Sequence, residues 1–227
     1  MKSVYEYLTE KRVSSDSITN NKKACPEIFQ AILDNDREKF KELLDNGCDV
    51  NIIGIANHTP LIRATSSGRS WMISKLIEHG ADTEYAIDMS SLNRHITAFF
   101  IGLGQSSIDV ETLEELSTGV PIEGDMYNRT PLGYLLSCQS NYDTLDKLKW
   151  LIKHGADINK QDSNGDTPMH LFLINNRQAN TWTNNVFEYL LTLDIDPTIK
   201  NDSDKTILHI QGNDKYIQEL SHKFKGE

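Results

Sequence analysis

The sequence has little of what marks several specialised classes of protein. Its 227 residues include three cysteines, Cys25, Cys48 and Cys138, which are too few and too scattered for a disulfide framework or a zinc site. We therefore expect reduced thiols, as in a cytosolic or nuclear protein. No apolar run approaches the ~20 residues that a membrane-spanning helix needs. The start of the chain, residues 1–6, lacks the apolar core of a signal peptide.

Positive charge is also scarce, and this argues against two kinds of partner. The chain carries 23 lysines and arginines against 33 aspartates and glutamates, which gives a net charge of -10. Binding to a nucleic acid or to an anionic membrane requires a basic surface. We therefore expect no nucleic-acid partner and no membrane partner.

Catalytic and metal-binding motifs are missing as well. The sequence has no Gly-x-Ser-x-Gly, no phosphate-binding glycine loop and no Cys/His pair placed by a motif. Its seven histidines show no recurring ligand spacing. We predict no enzyme activity, no catalytic residue, no metal and no cofactor.

What the sequence does contain is a repeated phrase related to Gly-Ala-Asp-Ile-Asn. Copies begin at Gly47, Gly80, Gly119, Gly155 and, in degenerate form, Asp194. The intervals between them are 33, 39, 36 and 39 residues. Elements similar to Thr-Pro-Leu-His stand in the same relation to these phrases and begin at Thr59, Thr97, Thr130, Thr167 and Thr206. This period and these elements resemble ankyrin repeats.

The Thr-Pro element is suited to start a helix. Proline lacks the N–H that the first turn leaves unsatisfied, and threonine can cap the exposed amides. Two residues before each threonine, the tip of a hairpin requires a left-handed backbone, which Gly, Asn and Asp tolerate best. Those positions hold Asn57, His95, Asn128, Gly165 and Asp204. His95 departs from the pattern.

A second helix is predicted before each terminating glycine. Apolar residues such as Ile73, Leu76 and Ile77 recur there at i, i+3, i+4 spacing, which buries one face against the adjoining repeat. We therefore predict an all-α fold, an ankyrin-repeat solenoid of about five to six helix-turn-helix units with short hairpin loops. Residues 1–24 either form a capping helix or stay mobile. The predicted repeats, numbered one to six, are approximately residues 25–51, 52–84, 85–123, 124–159, 160–200 and 201–227.

Three repeats contain additional residues. Polar insertions at residues 137–143 and 175–183 lie between the predicted helices of repeats four and five. In repeat three the extra length, around residues 86–93, precedes the first helix and should lengthen its hairpin. We expect the two polar insertions to extend one edge of the stack.

The irregular repeat lengths resemble those of poxvirus ankyrin-repeat host-range proteins. So does the wording rich in Asn, Asp, Ile and Lys, as in residues 153–165 and 199–202. In that family an ankyrin array captures a host protein, and a C-terminal F-box-like segment docks a cullin-RING ubiquitin ligase. The resemblance implies a target in innate immune signalling, such as a protein of the NF-κB pathway or a necroptosis kinase.

The chain stops at Glu227 without visible F-box-like helices, so a ligase link is expected only through a missing C-terminal segment. The predicted function is capture of a host signalling protein for sequestration or degradation, by a monomer in the host cytoplasm. Two alternatives stay open. One is a scaffolding ankyrin domain of a cellular protein, and the more distant one is a regulatory domain severed from an enzyme.

Large aromatic side chains are the first candidates for partner contact. Five residues before the terminal glycine position, repeats four and five carry Trp150 and Tyr189, where the other repeats carry charged residues. We therefore expect both rings to be at least partly exposed. Trp71 begins the second helix of repeat two, and Trp182 lies in the insertion of repeat five. Trp and Tyr are favoured interface anchors; alternatively, each ring packs on its own insertion or on a neighbouring repeat.

Hairpin tips and first helices line the concave face of an ankyrin stack and provide the second group of candidates. These are Asn57, His58, Arg94, His95, Asn128, Arg129 and Tyr134. The basic members of the group, Arg94, His95 and Arg129, are predicted to pair with carboxylates of a partner and to set its orientation. The alternative for each tip residue is simple solvation.

Overall fold

The computed structural model describes residues 24–89, 94–122, 129–138, 142–178, 180–210 and 214–225. The chain divides after Pro121 into two compact units, which we call the N-terminal half and the C-terminal half. Each half is a stack of short helix pairs.

The described part of the N-terminal half contains three helix pairs. They are α1 (Glu27–Asp34) with α2 (Arg37–Asp45), α3 (Pro60–Ser66) with α4 (Ser70–Glu78), and α5 (Ala98–Gly104) with α6 (Val110–Leu116). The first helices pack side by side, α1 on α3 and α3 on α5, and the second helix α4 packs on α6. Each pair thus contacts its neighbours in the chain, as repeats of a stack do.

Hairpins of different length precede α3 and α5. The first contains only a 3-10 turn (Ile55–Asn57). The second is a true β-hairpin, in which β1 (Ala86–Met89) pairs antiparallel with β2 (Arg94–Thr97). The predicted lengthening of the hairpin in repeat three is confirmed. This longer hairpin also explains why His95 departs from the pattern, since His95 lies in a strand and not at a turn position.

The described part of the C-terminal half contains two further helix pairs and a terminal repeat. The pairs are α7 (Pro131–Ser137) with α8 (Thr144–Lys153), and α9 (Pro168–Asn175) with α10 (Thr181–Leu190). The terminal repeat consists of a 3-10 turn (Ile207–His209) and α11 (Asp214–Lys225). Helix α7 packs on α9, and α8 packs on α10. The predicted all-α, ankyrin-repeat fold class is confirmed.

The Thr-Pro elements begin helices as predicted. The side-chain oxygens of Thr59, Thr130 and Thr167 each accept a hydrogen bond from the backbone N–H three residues on, and proline follows each of them. At the third element, the Nδ1 atom of His170 accepts from the backbone N–H of Thr167 at 3.3 Å. The Nε2 atom of His170 lies 3.0 Å from the carbonyl of Lys205 in the next repeat. This histidine therefore ties two repeats together.

Left-handed residues occupy the predicted helix ends and hairpin tips. Helices end at glycines with positive φ, namely Gly47 (76°), Gly80 (85°), Gly119 (79°) and Gly155 (91°). The described tip positions also have positive φ, namely Asn57 (59°), Gly165 (72°) and Asp204 (58°). Glycine has no Cβ, and Asn and Asp tolerate this region better than other side chains. The repeated sequence thus reflects backbone geometry.

The asparagine that closes the repeated phrase joins successive repeats. In the N-terminal half, the Asn51 side chain donates to the Gly80 carbonyl at 2.9 Å and accepts from the Asp82 N–H at 2.8 Å. In the C-terminal half, Asn159 forms the same pair of bonds with Asp194 at 2.8 Å and Asp196 at 2.9 Å. An equivalent pair of hydrogen bonds therefore joins successive repeats in both halves.

The interior is largely apolar and is built from both helices of each pair. Buried members of the second helices include Phe40, Leu44, Ile73, Leu76, Leu148, Leu151, Val186, Phe187 and Leu190. In the C-terminal half, the ring of Phe187 stacks on Tyr216 and Phe172, with centroids 4.3 and 6.0 Å apart. None of the described helices is both long and apolar enough to cross a membrane.

Candidate protein-binding surfaces

Two exposed aromatic rings from different repeats meet on the surface of the C-terminal half. Tyr142 lies just before α8 and is 60% exposed, and Trp182 lies at the start of α10 and is 47% exposed. Their ring centroids are 6.5 Å apart with an interplanar angle of 72°, an edge-to-face contact. We call these two residues the Tyr142–Trp182 pair.

The start of α10 holds Trp182 in place. The Asn180 side chain accepts from the backbone N–H of Thr183 at 2.9 Å, and the Thr183 hydroxyl accepts from the backbone N–H of Asn180 at 2.7 Å. This reciprocal cap begins the helix at Thr181. The expectation that Trp182 lies in the insertion is therefore wrong. Trp182 is the second residue of a helix, so its backbone is fixed while about half of its surface remains exposed.

Trp150 does not lie where the sequence suggested. Its side chain is only 5% exposed, and its ring lies over His154 one turn later, with centroids 4.2 Å apart. The expectation of a partly exposed Trp150 is wrong, because α8 turns this position towards the interior. Tyr189 is half-buried, and the ammonium group of Lys149 lies 5.6 Å from the centre of its ring. The two residues do not form an exposed aromatic pair.

Trp71 is the second residue of α4, as predicted, and is half-buried. Its ring meets the buried ring of Phe40 edge to face, with centroids 6.0 Å apart. The guanidinium of Arg37 lies over the indole at 5.4 Å from its centre. One face of the Trp71 ring is thus covered by a cation of the same half.

Among the tip candidates of the N-terminal half, Asn57 is exposed and His58 is half-buried. The carbonyl of Asn57 accepts a hydrogen bond from the Tyr85 hydroxyl at 3.0 Å, which steadies the tip. Burial, with a smaller contribution from the charge of Arg63, lowers the pKa of His58. His58 therefore presents a neutral imidazole near pH 7.

The remaining tip candidates are described only in part. Asn128 lies outside the described residues, and of Arg94 and His95 the backbone in β2 is described but the side chains are not. Arg129 is half-buried. Burial raises the pKa of Asp162, and the nearby charge of Arg129 opposes that shift. Arg129 therefore already has a carboxylate of its own half nearby.

Tyr134 is half-buried on α7. The candidates divide between the two halves: Asn57, His58 and Trp71 belong to the N-terminal half, and the C-terminal half contains Arg129, Tyr134, Trp182 and Tyr189. Trp182 is the candidate with the largest described aromatic exposure.

Sequence reasoning missed two exposed features. Tyr142 was counted only as part of a polar insertion. Ile53 and Ile55, which flank Gly54 at the first hairpin, are 52% and 88% exposed. The cluster of isoleucines at residues 52, 53 and 55 of this hairpin is a signal that could have revealed the apolar tip.

Within the described ranges, no three His, Cys, Asp or Glu residues are grouped as ligands of a metal ion would be. His79 and His154 follow the last residue of their helices, and the Nδ1 atom of each lies 2.8 Å from the carbonyl four residues earlier. His170 instead contacts the carbonyl of Lys205 in the next repeat.

Comparisons with known proteins agree with this fold. Residues 128–181 match the model of the family described as ankyrin repeats in many copies. The human ASB11 ankyrin repeat domain has a similar structure, with a TM-score of 0.63 at 20% identity over 97% of this chain and 96% of that one. A second similar chain comes from a structure of a predatory endopeptidase from Bdellovibrio bacteriovorus in complex with an immunity protein. Its TM-score is 0.64 at 19% identity over 88% of this chain and 95% of that one.

One curated relative, from Dirofilaria immitis, bears the name L-asparaginase. It is 27% identical over 178 residues, which are 76% of this chain but 28% of that protein. The chain therefore corresponds to less than a third of this relative, and the name supports no activity here. The fold and the comparisons together show an ankyrin-repeat architecture.

Proposed function

We propose that this chain is the capture module of a viral host-range adaptor. It binds a host innate-immune signalling protein, of the NF-κB pathway or a necroptosis kinase, for sequestration or for ubiquitin-ligase-mediated degradation. The ankyrin-repeat fold supports the binding part of this proposal. The viral origin, the host cytoplasm as location and the class of target are supported by the resemblance of repeat lengths and wording described above.

The observation that carries the binding role is the Tyr142–Trp182 pair. Large aromatic rings are enriched in interface hot spots because they bury much apolar area with few rotatable bonds. Here the two rings come from successive repeats and support each other at 6.5 Å. An edge-to-face pair that is half exposed on both members offers a preformed anchor for an apolar side chain of a partner.

The test is affinity purification of residues 1–227 from human cells, read by mass spectrometry and compared with Trp182→Ala and Tyr142→Ala. Glu188→Ala, an exposed change on the same helix, is the matched control. We expect an innate-immune signalling protein that is lost with either aromatic variant and retained with the control. Recovery of the same partner with both aromatic variants, each shown by circular dichroism to be folded, would refute the assignment of the surface.

A second candidate function is a scaffolding ankyrin domain of a cellular protein. It is supported by the cellular origin of the similar proteins, which come from human, Bdellovibrio bacteriovorus and Dirofilaria immitis. The same purification separates the two. A set of cellular scaffold proteins without an immune target supports the second function, whereas a dominant innate-immune target supports the first. Co-recovery of cullin-ligase subunits with residues 1–227 would contradict the expectation that the ligase docks only through a missing C-terminal segment.

A further inference from the structure

A groove lies in the N-terminal half where the turn between α1 and α2 approaches the turn between α3 and α4. Its volume is about 220 Å³. Asn35 and Arg37 line it from the first turn, Arg69 and Ser70 line it from the second, and Trp71 forms part of the wall. We call it the Trp71 groove.

The lining of the Trp71 groove includes two guanidinium groups and no carboxylate. Arg37 is exposed, and its guanidinium carbon lies over the Trp71 ring, 5.4 Å from the ring centre. The Nη2 atom of Arg69 donates to the Leu33 carbonyl at 3.4 Å, and its Nε atom is buried without a hydrogen-bond partner. Within the described residues, neither arginine takes part in an ion pair.

Two carboxylates flank Arg37 in the sequence, those of Asp36 and Glu38, and among the described residues neither forms an ion pair with Arg37. Asp36 accepts from the backbone N–H of Lys39 at 3.0 Å and so caps α2. A guanidinium that stacks on an aromatic ring keeps its N–H donors at the ring edge, in the fork that matches a carboxylate. Arg37 is therefore held in a conformation that leaves donors for a ligand, while the half-buried Arg69 contributes its positive charge to the wall of the groove.

On the far side of Trp71 lies a second groove of about 280 Å³, which includes Lys41 and Lys75 in its lining. Lys75 is paired with Glu78 at 2.6 Å, and Asp45 also lines this side. Negative charge thus accompanies the lysines but not the arginines. The Trp71 groove, which is lined by Arg37 and Arg69 and by no carboxylate, therefore presents positive charge on a chain whose net charge is -10.

The size of the groove indicates the kind of ligand. It is smaller than the roughly 300–1,000 Å³ of pockets that enclose small molecules, and it suits the ends of one or two side chains. One repeat further along, the corresponding place is filled by the chain itself. There, Gln105 donates to the Ser66 carbonyl at 3.4 Å, and the Ser70 hydroxyl donates to the Ser107 carbonyl at 3.3 Å.

We propose that the Trp71 groove binds an acidic peptide segment of a partner protein, whose Asp or Glu carboxylates pair with Arg37 and Arg69 against the indole of Trp71. The site is separate from the Tyr142–Trp182 pair and goes beyond the function proposed above. Its charge makes it selective for acidic segments and sensitive to ionic strength.

The test uses the indole N–H signals of Trp71, Trp150 and Trp182 in two-dimensional ¹H–¹⁵N NMR spectra of the full chain. Trp71→Phe and Trp182→Phe assign the signals. The probe is blocked hexaglutamate, and blocked hexaglutamine is the neutral control. We expect hexaglutamate to shift the Trp71 signal, with smaller or no change at Trp150 and Trp182, and with weaker binding as salt is raised. Hexaglutamine should cause no shift.

The variant Arg37→Glu should weaken hexaglutamate binding about tenfold or more, since it replaces a cation with an anion in the groove. Lys39→Glu, an exposed change on the same helix, should change it much less. Arg69→Glu should abolish binding, but it also removes the hydrogen bond to the Leu33 carbonyl. Arg37→Glu is the more informative variant because the native Arg37 side chain donates no such structural hydrogen bond. No Trp71 shift, an equal shift with hexaglutamine, or full binding by Arg37→Glu would overturn the proposal. So would a shift by inorganic phosphate without one by hexaglutamate. A Trp182 shift alone would place the contact at the other surface.

Discussion

The replacement Asn159→Ala tests the bond that joins successive repeats in the C-terminal half. The Asn159 amide donates to the Asp194 carbonyl at 2.8 Å, and its oxygen accepts from the Asp196 N–H at 2.9 Å. An intramolecular hydrogen bond contributes about 1 kcal/mol net. Asn159 is half-buried, so water can reach part of the site once the amide is gone. We therefore expect a loss of about 1–2 kcal/mol in the free energy of unfolding.

The assay is urea unfolding followed by tryptophan fluorescence in a Trp71→Phe background. The remaining tryptophans, Trp150 and Trp182, both lie in the C-terminal half, so their fluorescence reports on that half. With a urea slope of about 1–3 kcal/mol per molar, the midpoint should fall by roughly 0.3–2 M. Asn185→Ala is the matched control, because Asn185 lies on α10, is exposed, and makes no side-chain hydrogen bond within the described residues.

Two results would refute this reasoning. One is an Asn159→Ala midpoint equal to that of the parent chain, and the other is an equal loss in Asn185→Ala. The equivalent change in the N-terminal half, Asn51→Ala, should behave in the same way when followed by Trp71 fluorescence, since Asn51 makes the corresponding two bonds.

Three further predictions concern backbone strain and titration. Gly155→Ala should cost about 1–2 kcal/mol, because its φ of 91° lies in the left-handed region; the free energy of unfolding would be compared with that of Ala156→Gly, and no loss would contradict the argument. Burial lowers the pKa of His170 in the folded chain below its ordinary 6.5, so the unfolded chain binds the proton more readily. Stability should therefore be complete above about pH 6.5 and fall with decreasing pH towards the folded pKa, by up to about 1.4 kcal/mol per pH unit. His170→Gln should flatten this slope in urea titrations, and an unchanged slope would contradict the assignment. Burial, aided by Cys25, raises the pKa of Cys48 to about 12, so its alkylation by iodoacetamide at pH 8 should require unfolding; rapid labelling of the native chain, located by peptide mass spectrometry, would show the thiol to be accessible.

Much of the fold could be predicted because the repeat restates the same local requirements. Thr59, Thr130 and Thr167 cap helices whose first residue is proline, and Asn57, Gly165 and Asp204 adopt the left-handed backbone that their positions demand. These requirements depend on residues a few positions apart. A single sequence read against its own repeats is enough to find them.

The candidate surfaces were harder to predict because exposure depends on packing between repeats. Trp150 and Tyr189 occupy the same position in two repeats, yet Trp150 is buried over His154 while Tyr189 is half-buried beside Lys149. Equivalent positions of a repeat thus have different neighbours in the folded chain. The proposed role of Tyr142 as an interface anchor follows only from its contact with Trp182, whose ring centroid lies 6.5 Å away.

The sequence by itself determined the period, the helix starts and ends, and the shortage of basic residues, since each follows from local backbone chemistry or from composition. Only the tertiary structure decided which side chains of neighbouring repeats meet. It brought Tyr142 to Trp182, turned Trp150 inwards, and set Arg37 over Trp71 beside Arg69. The physical reason is that side-chain exposure is a property of distances between residues far apart in the chain, which no local pattern encodes.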